Sequence, residues 1–379
     1  MTQPPVSLIA YGCTPYTPQP QRSIPELVHQ AVQATLSDAG LSIQDIDAVV
    51  TASVDLWDGL TASNMAVTEV VGAVMKPETR VAGDGLLAVC QAAMSIASAG
   101  LSTGLAGSYE TVLVVAHSKG SMADRWALSN WTFDPLYQQP LGLDDLAAAA
   151  LQAQVYLDRY GISPDGPAGV AVKNRQEPGL TLDDVLASPV LASPIHELEV
   201  PPVADGACAL VLATPSQGGQ VDGPSVYIRG FGYAVEPHYL GDRDLAAPTA
   251  LQEAARRAYR MAGIADPRHE IQVAHVSEAF AHQELLWCEG LGFCGPGEGP
   301  RLLMEGVTAP GGALPVNPRG GLLAGVPPFV AGLDRLVRAV EDVRAGATMA
   351  LAHGAWGPAG QGQCVVVVGS DDGAWEMAG

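Results

Sequence analysis

The chain predicts a layered α/β fold, and three observations carry that expectation. Strand-like apolar runs alternate with amphipathic helices almost throughout. Small residues are abundant, with 43 glycines among 379 residues, which suits close packing of helix on sheet. The rhythm also restarts. One helix ends Asp38-Ala39-Gly40-Leu41 and another ends Met261-Ala262-Gly263-Ile264, each followed by a strand. The glycines at 40 and 263 and the alanines at 31 and 254 are both 223 positions apart. Repeated helix-strand order at one offset predicts two similar halves, residues 1–225 and 226–379.

In chain order, Ser23-Ile24-Pro25-Glu26 reads as a capping box with proline in the first turn, and Leu27, Ala31, Ala34 and Leu36 continue the helix until Gly40 stops it. Ile46 to Val50 reads as a strand, and a second helix is expected from Ser63-Asn64. A third is expected over about 85–100, and Thr111 to Ala116 is a buried strand ending at His117. Residues from about 119 to 200, with Trp126, Trp131, Phe133-Asp134-Pro135 and several Pro-Gly turns, read as an inserted loop domain. Pro248-Thr249 with Gln252 opens the helix ending at Ala262, and a strand follows from Ile271. A late strand ends in Ala352-His353, matching Ala116-His117.

The composition is 48% apolar and 16% charged, that of a well-packed globular chain. Nineteen basic against 40 acidic residues give a net charge of -21 with no Lys/Arg run, which excludes a basic-patch function on nucleic acid or an anionic membrane. No two of the six cysteines form a Cys-x-x-Cys pair, no His/Cys/carboxylate group has metal-ligand spacing, and no Gly-x-Gly-x-x-Gly follows a strand. Neither a metal nor an intrinsic cofactor is expected. The amino terminus lacks a basic stretch leading into an apolar run, so a cytoplasmic location is expected. Leu86 to Gly107 is uncharged and long enough to span a bilayer, but its Gln91, serines, alanines and glycines read as a buried helix.

Three segments carry a family resemblance. Ser277-Glu278-Ala279-Phe280-Ala281-His282-Gln283 is similar to the Asn-Glu-Ala-Phe-Ala-Ala-Gln segment of the thiolase superfamily. Val316-Asn317-Pro318-Arg319-Gly320-Gly321, with Gly325-Val326-Pro327 and Gly332, resembles Val-Asn-x-x-Gly-Gly leading into Gly-His-Pro. Asp84-Gly85 with Ala88, Ala92 and Ile96 is similar to the helix after the nucleophilic cysteine. Glu284-Leu285-Leu286 points to the sterol-carrier-type branch. The resemblance implies two βαβαβαββ halves in an α-β-α-β-α sandwich, and a dimer formed through sheet edges.

The family chemistry uses a thiolate at a helix amino terminus with His and Cys acting on the second acyl group. By this alignment the nucleophile position is Ala82, the Asn/His position Ser277, the Gly-His-Pro histidine Val326, and the carboxy-terminal cysteine His353. Another register puts Cys90 at the nucleophile position but loses the Gly85 and both alanine matches, and a cysteine inside an apolar helix reads as core. The candidate catalytic residues are therefore His353 as acid or base, Ser277 and Glu278 nearest the thioester, His282 facing either core or cavity, and Asp84 as helix cap or neighbour of the reacting group. Gly320, Gly321, Gly354, Trp356 and Gly357 are candidates for contact with the coenzyme A thioester. His117 reads as structural, and the role of the Asp55-Leu56-Trp57-Asp58-Gly59 turn stays open between approach to a dimer partner and approach to the substrate.

The resemblance implies an acyl-CoA-handling protein that makes or breaks a C–C bond beside the thioester, by acyl transfer or retro-aldol cleavage. The expected partners are an acyl-CoA, a second thiolase-like chain in a homo- or heterodimer, and a small zinc-ribbon/OB-fold acyl-CoA-binding protein. The tyrosines of the branch's aldolases have no match, Val326-Pro327-Pro328 occupying one such stretch. A non-catalytic scaffold for an active partner is the alternative.

Overall fold

The computed structural model describes residues 6–98, 109–214 and 224–370. Among the described residues there are eleven strands: β1 (Val6–Cys13), β2 (Ala48–Ala52), β3 (Glu78–Val81), β4 (Thr111–Lys119), β5 (Val190–Ala192), β6 (Ile195–His196), β7 (Asp205–Ala213), β8 (Val226–Val235), β9 (Val273–His275), β10 (Met349–Trp356) and β11 (Gly362–Gly369). The helices that shape the site are α1 (Ile24–Ala39), α2 (Gly85–Ser98), α3 (Arg125–Asn130), α4 (Asp145–Tyr160), α5 (Asp165–Arg175), α6 (Thr249–Ala262), α7 (Ala281–Gly290) and α8 (Ala331–Arg344).

Nine strands form one mixed sheet in the order β3-β2-β4-β7-β1-β8-β11-β10-β9, and β5 pairs with β6 separately. The duplication is visible in the strand senses. In the first half β2 runs parallel to β4, which is antiparallel to β7, which is antiparallel to β1; in the second, β9, β10, β11 and β8 repeat that sequence of senses. Outside β2 lies β3, whereas outside β9 there is an isolated bridge from Ala274 to Val316. His117 of β4 and His353 of β10 thus stand on matching strands, each of which continues past its histidine.

The uncharged helix α2 and the amphipathic α8 pack on each other between the two halves of the sheet, burying Leu86, Val89, Ile96, Leu333, Leu336 and Val340 in a central core. The outer faces are covered by α1, against β1, β4 and β7, and by α6, against β8 and β11. This is the expected α-β-α-β-α sandwich. Gly40 and Gly263 close α1 and α6 at φ 63° and 73°, a left-handed conformation that any Cβ disfavours, which is why the same residue recurs at the repeat offset. Glu26 and Ser23 form the expected capping box. No helix among the described residues is long and apolar enough to cross a membrane, and residues 99–107 of the uncharged segment lie outside them.

One expectation differs from the structure. A helix from Ser63 does not form beyond a single 3-10 turn, because Ser63 donates both its N–H and its Oγ–H to Asp55 Oδ1, at 2.8 and 3.0 Å, and so caps nothing. The inserted region 119–200 lies between β4 and β7 as expected and carries α3, α4, α5 and the β5-β6 hairpin. Asp124 caps α3, and Asp144, whose side chain accepts the Ala147 N–H, caps α4; the Pro-Gly turns separate helices rather than replace them.

Candidate functional site

A cavity of about 270 Å³ opens where the central helices meet the region of α3 and α4. Its wall is apolar and aromatic. Trp57 meets Phe329 edge-on, with ring centroids 5.8 Å apart, and Trp126 stacks on Phe280 at 6.4 Å. Trp356 at the end of β10 completes the wall, beside Gly83. Phe329 is held at φ 64°, a rare conformation for a bulky residue, where its carbonyl accepts the Gly85 N–H at 2.7 Å. The turn from Gly357 to Gly360 is fixed from below, since Gln152 donates to the Ala359 carbonyl at 3.1 Å and Gln363 to that of Gly360 at 2.7 Å.

Ala82, Ser277 and Val326, from three distant segments, all line this cavity, as do Trp356 and Gly357. None of the six cysteines and no histidine does. Cys90 lies in the central core with its Sγ 3.3 Å from that of Cys364, which places the alternative register outside the cavity.

The other candidates stand behind the wall. His353 is fully buried; its Nδ1 accepts the Ser277 N–H at 3.2 Å, so its Nε2 carries the proton and donates to Gln363 Oε1 at 2.6 Å. Burial holds its pKa down at about 4. Glu278 accepts from Asn174 at 2.9 Å and from Asn317 at 3.0 Å, and burial together with the neighbouring Glu284 raises its pKa to about 7. It braces the two family-like segments against α5. Lys173 pairs with Glu284 at 2.7 Å, and Arg335 donates to Asn317 Oδ1 and the Gly320 carbonyl at 3.2 and 2.9 Å. His282 faces the core, where its Nε2 donates to Gln152 Oε1 at 3.2 Å and burial lowers its pKa to about 3.

Asp84 is a cap. Its Oδ1 accepts the Leu86 N–H at 2.8 Å and its Oδ2 the Gly332 N–H at 3.0 Å, so one carboxyl ties the starts of α2 and α8; burial raises its pKa to about 7. The glycines expected at the ligand divide. Gly354 lies under Asp84, where a Cβ would come within 2.3 Å of Oδ1; Gly321 lies under Glu278, and Gly320 against Gln176 and Asn174. These three make room for buried neighbours and do not line the cavity. His117 pairs with Asp58 at 3.0 Å within the protein interior, beside Trp57 of the cavity wall.

Sequence reasoning left the Trp57 turn open to the substrate, and missed Trp126, Phe280, Phe329, Arg125 and Asp145 as cavity residues. Arg125 lies over the Trp126 ring at 4.2 Å and donates to the Pro201 carbonyl at 2.8 Å. Asp145 follows the capping Asp144 at the start of α4. The doubled acid was a readable signal, because a helix start needs one cap.

The profile of the thiolase C-terminal domain-like family matches residues 232–369. An acetyl-CoA acetyltransferase of Methanocaldococcus jannaschii is 30% identical over 344 residues, which cover 84% of each chain. A steroid side-chain-cleaving aldolase of Thermomonospora curvata is 27% identical over 369 residues, 89% of this chain and 90% of that one. In fold, the Ltp2-ChsH2(DUF35) aldolase superposes with a TM-score of 0.82 over the whole of both chains at 23% identity. Human mitochondrial 3-ketoacyl-CoA thiolase superposes with a TM-score of 0.73 over 97% of this chain and 99% of that one at 16% identity, so the sandwich with its central helix pair is the thiolase fold. The chain belongs to the thiolase superfamily, in its sterol-carrier-type branch.

Proposed function

We propose that this chain binds an acyl-CoA thioester in the aromatic cavity and breaks or forms the adjacent C–C bond by aldol chemistry, as a subunit of a heteromeric complex. The observation that carries the reading is the convergence of Ala82, Ser277 and Val326 on one cavity whose wall holds neither thiol nor imidazole. Acyl transfer through a covalent intermediate needs such a nucleophile and its base. Retro-aldol cleavage needs a group to take a hydroxyl proton and a thioester carbonyl to receive the electron pair. Likeness to an aldolase along nine-tenths of both chains supports the same choice. The reading includes a second thiolase-like chain docked at a sheet edge, a small zinc-ribbon/OB-fold partner, a cytoplasmic location and a division into two halves near residue 225.

The burial of His353 and Glu278 behind the wall favours a second reading, a non-catalytic acyl-CoA-binding scaffold for an active partner. The probe 3-hydroxy-3-phenylpropanoyl-CoA separates the two. Offered to the assembly isolated from its native host through a tag on this chain, it is expected to give benzaldehyde and acetyl-CoA, while acetoacetyl-CoA thiolysis stays negligible. Probe binding without cleavage would favour the scaffold. Thiolysis at the rate of an ordinary thiolase, abolished by Cys90→Ser, would overturn both.

A further inference from the structure

Among the residues lining the cavity, the polar groups fall into two kinds. Most are already committed. Ser277 Oγ donates to the His353 carbonyl at 2.8 Å, Thr132 Oγ1 to the Ser129 carbonyl at 2.7 Å, Gln283 Nε2 to Gln152 at 3.0 Å, and Arg125 to Pro201. Asp145 is different. It is the only carboxylate on the wall; its Oδ1 is closed off from solvent and has no hydrogen-bond partner, and it forms no ion pair among the described residues. Its backbone is anchored, the N–H donating to Ser129 Oγ at 3.0 Å, and the capping of α4 is done by Asp144. Leaving a buried oxygen unmatched costs roughly 1–3 kcal/mol. Asp145 sits in the first turn of a helix that Asp144 already caps, where the helix dipole returns only about 0.3–1 kcal/mol.

We propose that Asp145 is the catalytic residue that carries the proton during C–C cleavage in this cavity. The proposal rests on the aldol reading above. In the ionised form the carboxylate takes the proton of the substrate β-hydroxyl. The O–H electrons form the C=O bond, the Cα–Cβ bond breaks, and its electron pair passes to Cα and the thioester carbonyl as an enolate. Asp145, now a carboxylic acid, returns the same proton to Cα. A β-hydroxyacyl-CoA becomes a carbonyl compound and a shortened acyl-CoA, with nothing else consumed. Burial, with Asp144 alongside, raises the pKa of Asp145 to about 7, where a group both accepts and returns a proton near neutral pH.

The test uses the native assembly and 3-hydroxy-3-phenylpropanoyl-CoA with Asp145→Asn and Asp145→Leu, the second guarding against a fold or contact effect of the amide. Both variants are expected to lose kcat by about 100-fold or more while KM stays within about threefold, the scale of a lost general acid-base group. Both also lose deuterium exchange at Cα of acetyl-CoA, and tryptophan fluorescence, from Trp57, Trp126 and Trp356 in the wall, still reports probe binding. If either variant keeps kcat within about threefold, the role of Asp145 falls and the aldol reading stands. If the unmodified assembly binds the probe without cleaving it, both fall together.

Discussion

Ser277 and His353 hold each other twice: the serine N–H donates to the imidazole Nδ1 at 3.2 Å, and the serine Oγ donates to the histidine carbonyl at 2.8 Å. Gln363 Oε1 then accepts the Nε2–H, and its Nε2 donates to the Gly360 carbonyl on the cavity turn. A histidine with an acceptor at one nitrogen and a donor at the other is neutral and of one tautomer. Here it positions the wall, with Trp287 packed on its ring at a centroid distance of 5.7 Å.

His353, with its pKa near 4 against an ordinary 6.5, is protonated in the unfolded chain before the folded one. Between those values the unfolded state binds more protons, so the contribution of His353 is complete above pH 6.5 and is lost as pH falls toward 4. Relative to His353→Asn, the unmodified protein is expected to lose about 2 kcal/mol between pH 6.5 and 5, read by urea unfolding at each pH. An equal slope for both proteins, or an imidazole NMR titration near 6.5, would refute the neutral clamp.

Asp84 has the opposite sign. Its carboxyl is held up at about 7 by burial, against 3.8, so the folded state keeps its proton where the unfolded chain has lost it. The stabilisation is full below pH 3.8 and disappears as pH rises through 7. Asp84→Asn, which cannot ionise, is expected to gain on the unmodified protein by on the order of 4 kcal/mol between pH 4 and 7. The check is the pH dependence of the stability difference; a difference independent of pH would mean that the two helix starts hold an ionised carboxylate throughout.

What was legible in the sequence follows from where the constraint is local. The left-handed caps at Gly40 and Gly263 announce themselves because glycine takes that conformation without the strain a Cβ brings, and the spacing of the family-like segments carried Ala82, Ser277 and Val326 to the same cavity. The placement of His353 was also within reach. Strand alternation turns Ala350, Ala352 and Gly354 toward the central helices and leaves Leu351 and His353 on the outer face with Trp287. The aromatic wall was not legible, because Trp57, Trp126 and Phe329 come from three separate loops and helix starts whose meeting is a tertiary event.

Restoring a thiol tests the position of Ala82. Ala82→Cys is expected to make the peptide spanning residue 82 open to iodoacetamide in the folded protein, with an excess of acyl-CoA protecting it. Peptides containing Cys90 and Cys364 stay unmodified, being fully buried, with burial pushing the Cys364 thiol well up. Thiolysis does not return, because Val326 still presents no imidazole to the cavity. Peptide mass spectrometry reads the outcome, and labelling of Cys90 in place of residue 82 would show the register to be wrong.

Packing and ligand contact can be told apart at the paired glycines, Gly320 and Gly321. A Cβ on Gly321 would stand 1.5 Å from Glu278 Oε1. Glu278 cannot retreat, since Asn174 and Asn317 hold its two oxygens and Glu284 shares both amides. Gly321→Ala must therefore break that network and is expected to cost about 3 kcal/mol or more, the scale of overpacking joined to a severed buried network. Gly241→Ala, where a Cβ meets nothing within 4 Å, is the neutral control. Thermal and urea unfolding decide the matter. Were Gly321→Ala to keep full stability and lose only acyl-CoA affinity, the Gly-Gly pair would belong to the ligand after all, and the wall drawn between Glu278 and the cavity would be in the wrong place.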